Sequence, residues 1–399
     1  MNARIIVIPD LYAAEKEMQS IGVDGAGIKV MLPKALSRAL KLKNIKPTPA
    51  NIIKQEMLSI GGEAAVASGV IDHSVAAADI LLLGTPKHFN LLVTKLRTHQ
   101  FGLPQLADEI ILALKNYDGV PASLDIKGKR FEFGSQTYIM GILNVTPDSF
   151  SDGNKYLDAK DAVMRARQML AEGADIIDIG GESTRPGAEP VTAEEEIKRV
   201  VPVIERLAAE TGAIISIDTY KAAVAKAALK AGASMINDIS ALRFDVEMAG
   251  VAAENKCPVT MMHILGTPRD MQKNPTYSDL MGEILASLEE GLAIGKRAGI
   301  LLEQIIVDPG IGFGKTTENN LEIVKRLREI KVLGRPILIG VSRKAFIGSV
   351  LDLPTDERVE GTAAAVAVAI ANGADFIRVH DVKEMKRVAK MVDAIVRNN

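Results

Sequence analysis

From Tyr138 to the C-terminus the chain alternates a short apolar, β-branched run with a stretch of helical spacing, eight times over. The apolar runs are Tyr138 to Val145, Asp175 to Ile179, Ile214 to Ile217, Ser234 to Ile236, Pro258 to Met262, Ile305 to Val307, Pro336 to Val341 and Phe376 to Val379. Helical spacing follows each, from about Asp158 to Glu172 after the first run to Val382 to Val396 after the last. Near-continuous apolar runs are what a parallel sheet covered on both faces requires. Eight such units in about 260 residues match a (β/α)8 TIM barrel, whereas doubly wound sheets usually stop at five or six strands. The fold class predicted is therefore α/β.

Each run ends in polar residues: Asn144, Glu182 with Ser183, Asp218, Asn237, His263, Asp308, Ser342 with Lys344, and Arg378 with His380. In a barrel those C-terminal ends form a single rim, where such folds place their chemistry. Residues far apart in sequence become neighbours only if the barrel closes.

The region from Lys115 to Thr137 reads as a boundary, with Pro121 and a hairpin signal, Leu124-Asp-Ile126 and Phe131-Glu-Phe133, around Lys127-Gly-Lys129. It divides the chain into residues 1–121, an additional N-terminal α/β domain, and residues 122–399, the barrel. In the first part Ile5 to Ile8 and Ile80 to Leu83 read as strands, and Thr85-Pro86 opens a helix as N-cap and first-turn residue. His73, His88 and His99 have no metal-like spacing.

Composition excludes several classes of function. Forty-eight Lys and Arg against 50 Asp and Glu leave a formal charge of −2, and there is no Trp, so neither a basic nor a base-stacking nucleic-acid surface is expected. The one cysteine, Cys257, cannot form an internal disulfide or a multi-cysteine metal site. No apolar run approaches the ~20 residues of a membrane span, and no secretory signal is visible. A cytoplasmic protein without a membrane partner is expected.

Two phosphate-loop look-alikes fail on spacing. Gly310-Ile-Gly-Phe-Gly-Lys315-Thr316 has Pro309 where a P-loop needs its first glycine, and Lys315 or Thr317 where a dinucleotide fingerprint needs its third. Thr192 to Glu195 reads as a capping box, and Asp381 as the N-cap of the last helix.

The rim residues carry more. Asp218 and Asp308 each end a buried run, where an unpaired carboxylate is costly; they serve either a structural ion pair or cap, or a ligand. With Asn237 they offer acceptors and one amide donor, which suits the edge of a flat 2-amino-4-oxo-pyrimidine. Lys344, Arg378 and His380 suit an anionic group. Asn144 could give its amide oxygen to Mg2+, which keeps few protein ligands when phosphates supply the rest. A Schiff base at Lys344 is a weaker alternative.

Gly141-Ile-Leu-Asn-Val-Thr-Pro-Asp-Ser-Phe-Ser-Asp-Gly153 and Asp178-Ile-Gly-Gly-Glu-Ser-Thr-Arg-Pro-Gly-Ala188 resemble the two signatures of the dihydropteroate synthase family. The likeness continues through Ser216 to Tyr220, Ile236 to Ile239, Met262-His263, Asp308 to Gly310, Ser342 to Lys344 and Arg378 to Asp381, and departs at Asn154 and Ile311. It covers about Leu124 to the C-terminus; the first ~120 residues resemble an N-terminal extension of some bacterial synthases.

The resemblance implies a transferase of folate biosynthesis that condenses 6-hydroxymethyl-7,8-dihydropterin diphosphate with 4-aminobenzoate, giving dihydropteroate and diphosphate. It implies that Asp218, Asn237, Asp308 and Lys344 hold the pterin, that Asn144 binds Mg2+ on the diphosphate, and that Arg378 and His380 hold that leaving group. It implies further that Phe150, Thr184, Arg185 and Pro186, with Ser342, shape the aminobenzoate site, with Asp308, Lys344, Arg378 and His380 as the catalytic set. A homodimer is also implied. The alternatives are a pterin-dependent methyltransferase, which would need no diphosphate site, and a non-catalytic pterin-binding protein.

Overall fold

A computed structural model describes residues 3–145, 155–183 and 189–397. It divides into a unit of Met1–Lys115 and a unit of Asn116–Asn399, so residues 116–121, expected to end the first domain, lie with the second.

In the first unit, strands β1 (Arg38–Ile45), β2 (Glu63–Val66) and β3 (Ala78–Gly84) form an antiparallel sheet in the order β1-β3-β2. Period-two alternation sends Leu42, Ile80 and Leu82 into a core with Ile53, Met57, Phe89 and Leu96, while Lys41 and Leu81 face out. The expected strand at Ile5 to Ile8 does not form, and Ile5 is wholly exposed. An apolar run becomes a strand only where a neighbour satisfies its backbone, and this one is paired with none of the three. Thr85 caps the helix Pro86–Leu96 as expected, and His88 completes the box by accepting from the Thr85 amide. His99 pairs with Glu56 at 2.9 Å.

The second unit opens with a hairpin of β4 (Leu124–Ile126) and β5 (Lys129–Phe131). Lys127 and Gly128 both have positive φ, the geometry of a tight type I′ turn. Eight parallel strands follow: β6 (Tyr138–Asn144), β7 (Ile176–Gly180), β8 (Ile215–Asp218), β9 (Met235–Asp238), β10 (Val259–Met262), β11 (Ile305–Asp308), β12 (Leu338–Ile339) and β13 (Phe376–Val379). They run β11-β10-β9-β8-β7-β6-β13-β12, and a parallel bridge from Val307 to Ile337 links the two ends, completing the barrel. β12 is shorter than its apolar run, and an extra helix, Ala345–Leu351, precedes the helix Val359–Ala371, which was expected from Arg358 to Ala371. Among the described residues no helix is long and apolar enough to cross a membrane.

The hairpin closes one mouth. Leu124, Ile126, Phe131 and Phe133 bury against residues at or near the strand starts, including Tyr138, Ile176, Met235 and Phe376. The Phe131 ring meets Tyr138 edge-on with centroids 4.7 Å apart. With the N-terminal ends sealed by hydrocarbon, the C-terminal ends are left for polar side chains.

Candidate functional site

Parallel register sets the rim. Asn144 pairs with Gly180, Gly180 with Asp218, and Asp218 with Asn237, so β6 to β9 reach the same height together. Met262 pairs with Asp308 one strand further on.

Arg378 rises from β13 into this ring. Its Nε donates to Asp178 Oδ2 at 2.6 Å and its Nη2 to Asp218 Oδ2 at 2.5 Å. Asn237 Nδ2 donates to the same Asp178 oxygen at 2.9 Å. Four side chains from four strands thus form one hydrogen-bonded cluster. Burial works against the Arg378 charge, but Asp178 and Asp218 outweigh it and push its pKa up. Burial likewise pushes Asp218 well above the usual carboxylate range, with Asp178 adding to the rise and Arg378 opposing it. Asp178 Oδ1 is buried without a partner among the described residues.

Asp308 and Lys344 form the second group. Asp308 Oδ1 accepts from the Gly310 amide at 2.7 Å; burial raises its pKa, against the pull of that amide, Lys344 and Arg378. Lys344 Nζ donates to the Ile311 carbonyl and lies 4.5 Å from the Phe313 ring centroid. Burial lowers Lys344 to about 8, although Asp308 pulls it up. The glycine-rich segment that failed as a phosphate loop is therefore a wall of this site. Its Gly310, at φ +70°, lies so close to β10 that a Cβ would collide with the His263 carbonyl.

Ser342 and His380 meet: the His380 amide donates to Ser342 Oγ at 3.2 Å, and that oxygen lies 3.0 Å from His380 Nδ1. Asp381 does not cap its helix as expected. Its carboxylate is taken by Arg343, whose Nε donates to it at 2.9 Å, because a two-pronged charged pair outcompetes a backbone cap. Asn144 ends β6, half-buried. Phe150, Thr184, Arg185 and Pro186 lie outside the described residues.

Three features escaped the sequence reading. Asp178, completely buried in mid-strand, is the hub of the arginine cluster; a charge inside an apolar run is a signal in itself, since it must be paired. His263 and Lys315, both buried, meet at 2.8 Å, and burial with the Lys315 charge takes His263 down to about 2, so the ring is neutral. Lys221 binds Glu182 at 2.5 Å, Glu196 at 2.6 Å and the Val191 carbonyl at 2.6 Å.

The arrangement offers fixed acceptors (Asp218, Asn237, Asp308) and donors (Lys344, Arg378) in a buried, low-dielectric setting. Such a site recognises a flat polar heterocycle and stabilises positive charge beside its carboxylates. A hard cation finds a neutral oxygen ligand in Asn144, and Mg2+ is commonly completed by water and phosphate oxygens.

Comparison with known proteins agrees with this chemistry. The family model for "pterin binding enzyme" matches residues 140–380. The dihydropteroate synthase of Clostridium beijerinckii is 54% identical over 275 residues, which are 69% of this chain and 100% of that protein. A probable bifunctional folylpolyglutamate synthase/dihydropteroate synthase of Halobacterium salinarum is 40% identical over 387 residues, 97% of this chain and 46% of that protein. The crystal structure of dihydropteroate synthase from Clostridium difficile in the presence of pteroic acid superposes with a TM-score of 0.64 at 47% identity, covering 67% of this chain and 100% of that one.

Proposed function

The chain belongs to the pterin-binding enzymes as a dihydropteroate synthase, and from that premise we propose how its rim residues divide the reaction. The activity is transfer of a pterinylmethyl group from 6-hydroxymethyl-7,8-dihydropterin diphosphate to the amine of 4-aminobenzoate, releasing diphosphate. Asp218, Asn237 and Asp308 accept from and donate to the pterin edge, and Lys344 donates to its ring acceptors. Arg378 and His380 hold the diphosphate, and Asn144 would hold a Mg2+ ion there. Phe150, Thr184, Arg185 and Pro186, with Ser342, surround the aminobenzoate.

The single observation that supports this most is the cluster of Asp178, Asp218, Asn237 and Arg378 beside the buried Asp308 and Lys344. Breaking the methylene–oxygen bond leaves a cation conjugated with the pterin and sends the electron pair to diphosphate. Buried carboxylates such as Asp308 and Asp218 stabilise that cation. The arylamine nitrogen then forms the new bond and gives up one proton, so no activated protein nucleophile is needed. Bound Mg2+ would supply charge neutralisation of the leaving group. A pterin-dependent methyltransferase needs no diphosphate site and would have no use for the Ser342–His380 pair. A cytoplasmic homodimer is proposed on family resemblance, and light scattering tests the dimer. Diphosphate release measured with and without 4-aminobenzoate tests the function: release that ignores the amine, or no release, overturns it.

A further inference from the structure

Opposite the rim, a cavity of about 60 Å³ opens between the segment that leads into the hairpin and the starts of β12 and β13. Lys331, Arg335 and Arg397 line it with Asn116 and Asp375, three cations against one carboxylate. They come from separate places: a 3-10 turn, the loop before β12 and the end of the last helix.

Two of these groups are already committed. Asp375 Oδ2 accepts from the Ile337 amide at 3.0 Å. Arg397 is held by Asp393 at 2.7 Å, Thr137 at 3.0 Å and the Ala374 carbonyl at 2.7 Å. Lys331 and Arg335 differ: among the described residues neither side chain makes a hydrogen bond or a close ion pair, and Arg335 Nε is sealed from solvent without an acceptor. Burial is the largest influence on both and holds them below their ordinary pKa values, against the opposing pull of Asp375 and Asp118 on Lys331 and of Glu303 on Arg335. Native proteins pair nearly all their buried polar atoms, so two half-buried cations aimed at one cavity call for an anion.

We propose that this cavity binds a tetrahedral oxyanion, inorganic phosphate or the phosphate group of a small ester, between Lys331, Arg335 and Arg397. A guanidinium fork and an ammonium approaching from different segments suit four oxygens better than the flat carboxylate. The volume admits one such group; drug-sized organic ligands need about 300 Å³ or more. The site is not the diphosphate site, because Asp375 and His380 lie at opposite ends of β13, roughly 17 Å of strand apart. It stands on its own geometry, independent of the reaction proposed for the rim.

The test is calorimetric titration of the full chain with inorganic phosphate. Saturating dihydropterin diphosphate and Mg2+, without 4-aminobenzoate, keep the rim occupied. Saturable binding with a dissociation constant of about 1 mM or tighter is expected. Lys331→Met and Arg335→Met should each weaken it at least about tenfold while leaving turnover unchanged, and Arg335→Lys should restore part of it. Glycerol phosphate binding alongside phosphate identifies an ester as an admissible source, and phosphate alone identifies the free ion; either supports the site. The proposal falls if the parent shows no saturable heat, if both Met variants bind as the parent does, or if acetate binds equally well.

Discussion

Arg378 is bound to Asp178 and Asp218, which changes what its removal should do. A residue that only gripped diphosphate would leave bare pterin binding intact when lost. Arg378→Ala instead leaves two buried carboxylates facing each other, so calorimetry should record weaker binding of bare pterin as well as of the diphosphate ester. His380→Ala, which removes a ring that meets Ser342, should weaken the ester selectively. Equal losses for both ligands in His380→Ala would remove it from the leaving-group site. Asp308→Asn turns an acceptor oxygen into a donor facing the pterin's own donors, and should cost roughly 2–4 kcal/mol of pterin binding; a change within threefold would make Asp308 purely structural. Lys344 titrates near 8 because burial disfavours its charge. The charged form that donates to the pterin is therefore lost as pH rises through about 8, and kcat/KM should show an alkaline limb there rather than near the free-lysine value of about 10.4. Lys344→Arg stays charged and should lose that limb, at a lower plateau. Asp218, Asn237, Asp308 and Lys344 were legible because each ends an apolar run. Asp178 was not: its strand reads Ile-Ile-Asp-Ile-Gly, and only the fold reveals that Arg378, two hundred residues later, neutralises it.

At the scale of elements, spacing was readable and partners were not. The last helix, Val382–Val396, and the helix Leu280–Ala298 have the limits their apolar periodicity predicts. Ile5 to Ile8 has the same local character as β3, yet one pairs and the other does not, since strand formation is settled by a neighbour elsewhere in the chain. Asp381 shows the same limit: a good N-cap type in the right place is claimed by Arg343. The hairpin was legible as a turn, and its role as a plug follows from facing four apolar side chains onto the strand starts. Phe131 is wholly buried there against Tyr138 and Phe376, with ring centroids at 4.7 and 5.7 Å. Phe131→Ala should therefore lower unfolding free energy by roughly 3–5 kcal/mol. Because the plug and the rim are at opposite ends of the strands, the folded fraction should bind pterin as the parent does. Denaturant unfolding with a parallel binding measurement checks both; a loss of affinity without a loss of stability would contradict the separation.

For the whole molecule, the question is what the first unit does for the second. Every rim residue named above comes from beyond Tyr138, and a relative matched over its entire length spans 69% of this chain. The first unit has its own core around Ile53, Met57, Phe89 and Leu96, and two of its three histidines are accounted for locally, His88 in a capping box and His99 on Glu56. Among the described residues no group of His, Cys, Asp or Glu there could hold a metal. The barrel should therefore carry out the chemistry alone, provided it is cut in the right place. A cut near Pro121, where the sequence puts the boundary, removes Asn116, whose Nδ2 donates to the Val332 carbonyl at 2.8 Å, and strips one wall of the cationic cavity. A chain beginning at Asn116 keeps both. The two truncations should turn over alike per folded molecule, within about threefold of the full chain, but the longer should melt at the higher temperature, since losing a hydrogen bond and its neighbours costs about 1 kcal/mol or more. If the chain from Asn116 melts cooperatively and still loses more than about tenfold in turnover, the first unit takes part in the active site and the separation fails.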